Sequence, residues 1–217
     1  MNSILVIHAS PRGARSHSRR LAESFVARCL ALDPTTQVHR REVGRAMVEP
    51  VNEAWIAAAF AKEVPRPAHM EADLATSDAL IDELQRHALL VISLPMYNFS
   101  VPAGLKAWVD QVIRLGRTVA AEATPEGTAY RPLVHGKRAV IVTTRGGEGF
   151  DPGGPYAHLN HADTWLRVAL EFIGITDVQV IAAESDETER FAQTYREAEA
   201  ALARVAAERT RPAEQLA

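Results

Sequence analysis

Three short stretches carry the residue types that do chemistry in this chain of 217 residues. The first is Ser10-Pro11-Arg12-Gly13-Ala14-Arg15-Ser16-His17-Ser18, which has hydroxyls at both ends of a turn and a helical pattern starting at its far end. Exposed N–H groups at a helix start carry partial positive charge, so together with Ser10, Ser16 and Ser18 they suit a phosphate without needing a lysine. Taken alone, Ser16 or Ser18 reads first as a plain helix cap. The second is Pro95-Met96-Tyr97-Asn98-Phe99, where one proline stops a strand and Pro102 starts the next helix. Aromatic faces held there suit a planar ring system and Asn98 suits its polar edge, while the same residues also suit a staple fixing the helix entry. The third is Thr144-Arg145-Gly146-Gly147-Glu148-Gly149, where glycines permit close backbone approach to a flat ligand or simply make a flexible loop.

The elements that position these stretches alternate. Apolar runs at Ile4–Ile7, Leu89–Ile92, Ala139–Val142 and Val178–Ala183 predict buried strands, and Val38–Val43 predicts a weaker edge strand. Helices are predicted at Ser18–Leu32, Asn52–Lys62, Glu71–His87, from Pro102 with Leu105, Trp108, Val109 and Val112 on one face, at Tyr156–Ile173, and at Glu189–Glu208. The breaker-rich Val64–Pro67 separates two of them. This order predicts an α/β protein with one doubly wound, five-stranded parallel sheet covered by helices on both faces. Ligands of such sheets bind beyond the carboxyl ends of the strands where the strand order reverses, which brings the three stretches together. A single domain over 1–208 and a frayed tail over 209–217 are expected.

Composition narrows the classes. A net charge of −3 with 24 basic residues spread along the chain gives no reason to expect a nucleic-acid or membrane partner. The single cysteine, Cys29, falls on an apolar helical face and reads as core. No signal segment is recognisable at the start, so a cytoplasmic location is expected. The fingerprints G-x-G-x-x-G, G-x-x-x-x-G-K-[ST] and G-x-S-x-G are absent, against a Rossmann dehydrogenase, a P-loop hydrolase and a serine hydrolase. His158 and His161, three apart in the predicted helix with Asp163 nearby, have ligand spacing but no third ligand fixed by sequence, and no metal site is assigned.

The motifs together are more specific than any one of them. Ser10 with Ser16-His17-Ser18, Pro95-Met96-Tyr97-Asn98-Phe99 followed by Leu105-Lys106, Thr144-Arg145-Gly146-Gly147, and Phe172-Ile173-Gly174-Ile175 resemble, in order and spacing, the FMN-dependent NADH azoreductases, quinone reductases of flavodoxin-like fold. The resemblance covers about residues 3–205. It implies a non-covalently bound FMN, with Ser10 and Ser16–Ser18 at its phosphate and ribityl end, Pro95–Phe99 beside the isoalloxazine, and Thr144–Gly147 along the pyrimidine edge. NADH or NADPH would be the donor and a quinone or azo compound the acceptor, in two-electron ping-pong turnover. It further implies a homodimer with the active site at the interface, Phe172 reaching over the partner's flavin, and Asn98, Phe99, Val119 and Phe172 forming the substrate pocket. In the chain's own pattern, Leu166, Leu170 and Ile173 equally allow Phe172 a place in the helix core. Departures are His17 where relatives often have Gln, Val119 where they often have Phe, and a longer 148–155 loop with Gly153-Gly154-Pro155. A flavodoxin-type electron carrier, an NAD(P)H-dependent FMN reductase and a non-catalytic flavodoxin-like module are the alternatives.

Overall fold

The computed structural model describes residues 3–61 and 65–208. The tail expected at 209–217 lies outside them, as do Val64 of the breaker segment and Lys62, the expected end of the second helix. In chain order the elements are β1 (Ser3–His8), α1 (His17–Leu32), β2 (Gln37–Glu42), α2 (Glu53–Ala59), α3 (Ala68–Arg86), β3 (Leu89–Pro95), α4 (Ala103–Val112), β4 (Val119–Thr124), β5 (Gly127–Pro132), β6 (Arg138–Arg145), α5 (Asp163–Ile173), β7 (Asp177–Glu184) and α6 (Thr188–Glu208).

The five apolar or half-apolar strands pair in the order β2-β1-β3-β6-β7, all parallel. Successive side chains of a strand face opposite sides, and the core divides accordingly. Leu5, Ile7, Leu90, Ile92 and Ile141 face one layer with Ile81, Leu84, Leu105, Trp108 and Leu166. Ile4, Val6, Leu89, Val91, Val140 and Val142 face the other with Leu21, Phe25, Leu202 and the buried Cys29. Each central strand is therefore apolar on both sides, which is why it reads as an unbroken run. The half-exposed β2 lies at the sheet edge.

Gly104 lets the start of α4 approach the end of β2, since an added Cβ would stand 1.9 Å from the Val43 carbonyl oxygen. Gly174 closes α5 in the left-handed region at φ 110°, the usual helix-ending role of glycine.

Two expectations need correction. A two-stranded antiparallel hairpin, β4–β5, joins α4 to β6 where no strand was expected. The helix expected over Tyr156–Ile173 begins only at Asp163, preceded by a 3-10 turn at Ala157–Leu159. The backbone between them is diverted to other partners: the His161 N–H donates to the Phe99 carbonyl at 2.8 Å, and the Ala162 N–H donates to the Asn160 side-chain oxygen at 3.2 Å. His158 and His161 consequently do not share a helix face. Among the described residues no group of three or more His, Cys, Asp or Glu is placed to hold a metal ion.

Candidate functional site

The chain leaves β1 toward β2 on one side of the sheet and β3 on the other, so the order reverses between β1 and β3. The loops after β1, β3 and β6 meet there, above the carboxyl ends of the strands, around a cleft of about 520 Å³. Arg12, His17, Pro95, Met96, Tyr97, Thr144, Arg145 and Gly146 line it. The volume lies within the usual range for small-molecule and cofactor sites. The Met96 N–H donates to the Thr144 carbonyl at 2.9 Å, locking the second loop to the third.

At the first loop, Ser16 caps α1, its oxygen accepting from the Arg19 N–H at 3.3 Å and lying 3.2 Å from the Ser18 hydroxyl. Ser10, Ser16 and Ser18 are all buried. The cap uses the third N–H of the helix, while those of His17 and Ser18, the first two, have no intrahelical acceptor. Capping thus leaves the first two N–H groups of the helix open. Arg20 Nη2 donates to His17 Nδ1 at 2.7 Å, so that nitrogen is unprotonated and the hydrogen sits on Nε2. Burial, then the Arg20 and Arg12 charges, hold the His17 pKa below its ordinary value. A neutral imidazole and nearby guanidinium groups favour an anion here.

At the second loop, Tyr97 and Ser100 exchange backbone hydrogen bonds of 2.9 and 3.0 Å around a two-residue turn. Asn98 and Phe99 both have positive φ, 46° and 69°. Such a turn requires φ above zero at both central positions, which Asn tolerates and Phe does not, so Phe99 holds local strain of the kind concentrated at ligand sites. The Phe99 ring lies 6.3 Å from Phe150, which lies 5.7 Å from Tyr156. Phe150 and Tyr156, on the long loop after β6, extend the aromatic wall beyond the residues expected.

At the third loop an added Cβ on Gly146 would meet no protein atom within 4 Å. The N–H groups of Gly146, Gly147, Asn98 and Phe99 make no hydrogen bond among the described residues. Arg145 is different from its neighbours. Its side chain is fully buried and bound to Asp151 and Glu184 at 2.8 Å and Asp163 at 3.2 Å, so the guanidinium anchors the loop from below and only the rest of the residue borders the cleft. Glu184 also accepts from the Gly149 N–H at 3.1 Å, tying the loop to β7.

Beneath the cleft, buried His8 joins Ser93 and Glu23 at 2.8 Å on each side, and Glu23 continues to Arg40. Hydrogen bonds from His8 and Arg40 pull the Glu23 pKa down to about 2. Ser93 is inaccessible to solvent, so this serine–histidine–glutamate chain is a structural strut and no nucleophile.

Val119 and Phe172 stand elsewhere within the chain. They line a separate cavity of about 260 Å³ with Trp55, Phe60, Ile113 and Tyr130, and share no lining residue with the cleft. Phe172 is 41% exposed, its ring 5.6 Å from Tyr130, which overturns the helix-core alternative that Leu166, Leu170 and Ile173 allowed. The fourth wall of the cleft was missed altogether. Ser185, Asp186, Glu187, Thr188 and Phe191, after β7, line it. Their signal was a helix-start cluster, Ser185-Asp186-Glu187-Thr188, at one more strand end of the sheet, with Ser185 Oγ accepting from the Glu187 N–H at 3.1 Å.

Comparison with known proteins agrees with this architecture. Residues 2–205 match a protein family described as having a flavodoxin-like fold. The chain belongs to that family. It is 60% identical over 205 residues to the FMN-dependent NADH:quinone oxidoreductase 1 of Pseudomonas fluorescens, covering 93% of this chain and 97% of that protein. It is 57% identical over 189 residues to the FMN-dependent NAD(P)H:quinone oxidoreductase 1 of Pseudomonas aeruginosa, covering 87% and 89%. In structure it resembles an azoreductase of Bacillus anthracis, with a TM-score of 0.82, 23% identity and coverage of 95% and 99%. At that identity the likeness concerns the fold.

The donor set fits FMN. Open N–H groups at the start of α1 suit its phosphate, the exposed aromatic turn suits the face of a flat ring, and the unobstructed Gly146 with free amides suits a carbonyl edge.

Proposed function

We propose that this chain is an FMN-dependent NAD(P)H:quinone oxidoreductase that also reduces azo compounds. The observation that carries the reading is the meeting of three loops with complementary donors in one cleft, in a chain 60% identical to a protein named for that activity. When bound, FMN supplies two-electron transfer from a nicotinamide donor and then to the acceptor. The chain's own task is placement and charge. Ser10, Ser16, Ser18 and the first N–H groups of α1 hold the phosphate. Pro95, Met96 and Tyr97, with the Asn98–Phe99 turn, hold the ring. The open N–H groups of Gly146 and Gly147 would donate to the carbonyl edge of the bound ring and so would favour negative charge there. No side chain acts as a nucleophile, and both substrates use the same space in turn.

The reading extends to a cytoplasmic homodimer. Its support is the apolar cavity with half-exposed Phe172 and exposed Phe60 and Tyr130 in its lining, a face suited to a second copy whose Phe172 would complete the substrate pocket, whereas Val119 is buried within its own subunit. The test is anaerobic: the purified yellow protein is mixed with NADH and then with a quinone. Bleaching of the flavin bands followed by their recovery is expected. A flavin that the nicotinamide does not bleach, or a bleached flavin that a quinone does not restore, overturns the assignment and favours the electron-carrier alternative.

A further inference from the structure

His8 ends β1, directly after the fully buried apolar run Ile4–Ile7, and is itself buried. Its Nε2 meets Glu23 Oε1 and its Nδ1 meets Ser93 Oγ, each at 2.8 Å. Bonds from His8 and Arg40 hold Glu23 ionised, so Nε2 carries the hydrogen of the first bond. The His8 carbonyl accepts from the Val43 and Gly44 N–H groups at 2.9 and 3.0 Å. Gly44 packs so closely that an added Cβ would stand 2.5 Å from the Ala9 carbonyl group.

Burying a polar chain of this kind costs desolvation that offsets most of its bond energy, so an apolar residue in place of His8 would serve stability nearly as well. What the bonds add is direction, and each runs to an element that carries part of the cleft. Glu23 stands in the second turn of α1, whose first N–H groups close the first loop. Ser93 stands just before Pro95 and Met96, which line the cleft from the second loop. Ala9 and Ser10 follow His8 directly. One imidazole therefore ties the two ends of the first loop to each other and to the base of the second.

We propose that His8, with Glu23 and Ser93, positions the cofactor by setting the separation between the groups that receive the phosphate and the turn that receives the ring, an inference that rests on the FMN reading above. A ligand whose two ends are joined by a short chain gains affinity from meeting both subsites at once, and loses that gain when the subsites shift. None of the three residues lines the cleft, so they act through Ser10, the start of α1 and the second loop.

The experiment dilutes the flavin-loaded protein and reads FMN release from the return of its fluorescence, with circular dichroism checking the fold of each variant. Ser93→Ala, which removes one buried oxygen, and Glu23→Ala, at the half-buried end of the chain, should each raise the Kd for FMN on the order of tenfold. Glu23→Gln keeps an oxygen for the His8 N–H and should stay within about twofold of wild type, because the exposed bond to Arg40 contributes little. In a Ser10→Ala background, where one of the positioned groups is already gone, Ser93→Ala should cost markedly less than it does alone. Folded Ser93→Ala and Glu23→Ala proteins that retain wild-type affinity, a loss in Glu23→Gln equal to that in Glu23→Ala, or full additivity with Ser10→Ala each overturn the positioning role and leave the FMN reading standing. Loss of the fold in both alanine variants makes the chain a stability element and overturns the role as well. A wild-type protein that takes up no FMN refutes the cofactor reading itself.

Discussion

The cleft above the sheet and the cavity beneath the hairpin are built from opposite materials. The cleft is made by loops at the carboxyl ends of the strands, and its lining mixes hydroxyl and charged residues, Asp186 and Glu187 among them, with Pro95, Met96, Tyr97 and Phe191. The cavity is made by α2, the end of α4, the hairpin and α5, and its lining is almost wholly aromatic and aliphatic. One surface holds a ligand with polar edges; the other is suited to being covered. The difference teaches that residues assigned to one pocket by resemblance, Phe99 and Phe172 for example, need not meet within one chain.

The comparison breaks first at Arg145. Arg145→Met leaves Asp151, Asp163 and Glu184 facing each other without their cation and should cost about 3–5 kcal/mol, seen as a lower midpoint in urea unfolding. A variant as stable as wild type would show that the third loop is not anchored from below. Gly146→Val should leave the melting temperature near wild type, because the added side chain starts in open space, yet lower FMN affinity by at least about tenfold, or about 1.4 kcal/mol. Full flavin content in that variant would remove the loop from the site. Ser16→Ala loses the bond from the Arg19 N–H and should cost about 1 kcal/mol of stability, with weaker FMN binding on titration. Unchanged flavin affinity at that reduced stability would make Ser16 a cap and nothing more. The smallest effect is expected in the cavity. Phe172→Leu should change stability by no more than about 0.5 kcal/mol, since the ring is half-exposed, while raising the KM for a quinone. Altered stability with unaltered kinetics would return Phe172 to a role inside its own subunit, and full activity of a sedimenting monomer would do the same.

How much of this was legible depends on how each element is stabilised. The central strands declared themselves because burial on both faces demands uninterrupted apolar residues, as in Ile4–Ile7 and Ala139–Val142. The hairpin did not, because Ala120 to Thr124 and Gly127 to Arg131 have no buried side and so no alternation to read. Helix α5 was placed too early because apolar periodicity says nothing about the bonds of Asn160 and His161 to side chain and loop. Ser16 and Arg145 were recognised as site residues, but one doubles as a cap and the other turns its charge inward, and neither is a property of residue type.

The sequence by itself determined the parallel α/β sheet, the three loops at its carboxyl edge and the donors they bring, because apolar runs, prolines and glycines act through local backbone preference and burial. Tertiary structure alone decided that Ser185 to Phe191 close the fourth side of the cleft, that Arg145 is a buried anchor, and that Val119 and Phe172 line a different cavity. Those outcomes rest on which distant segments meet across the sheet, and pairings over such separations are set by packing and charge in three dimensions, with no period along the chain to announce them.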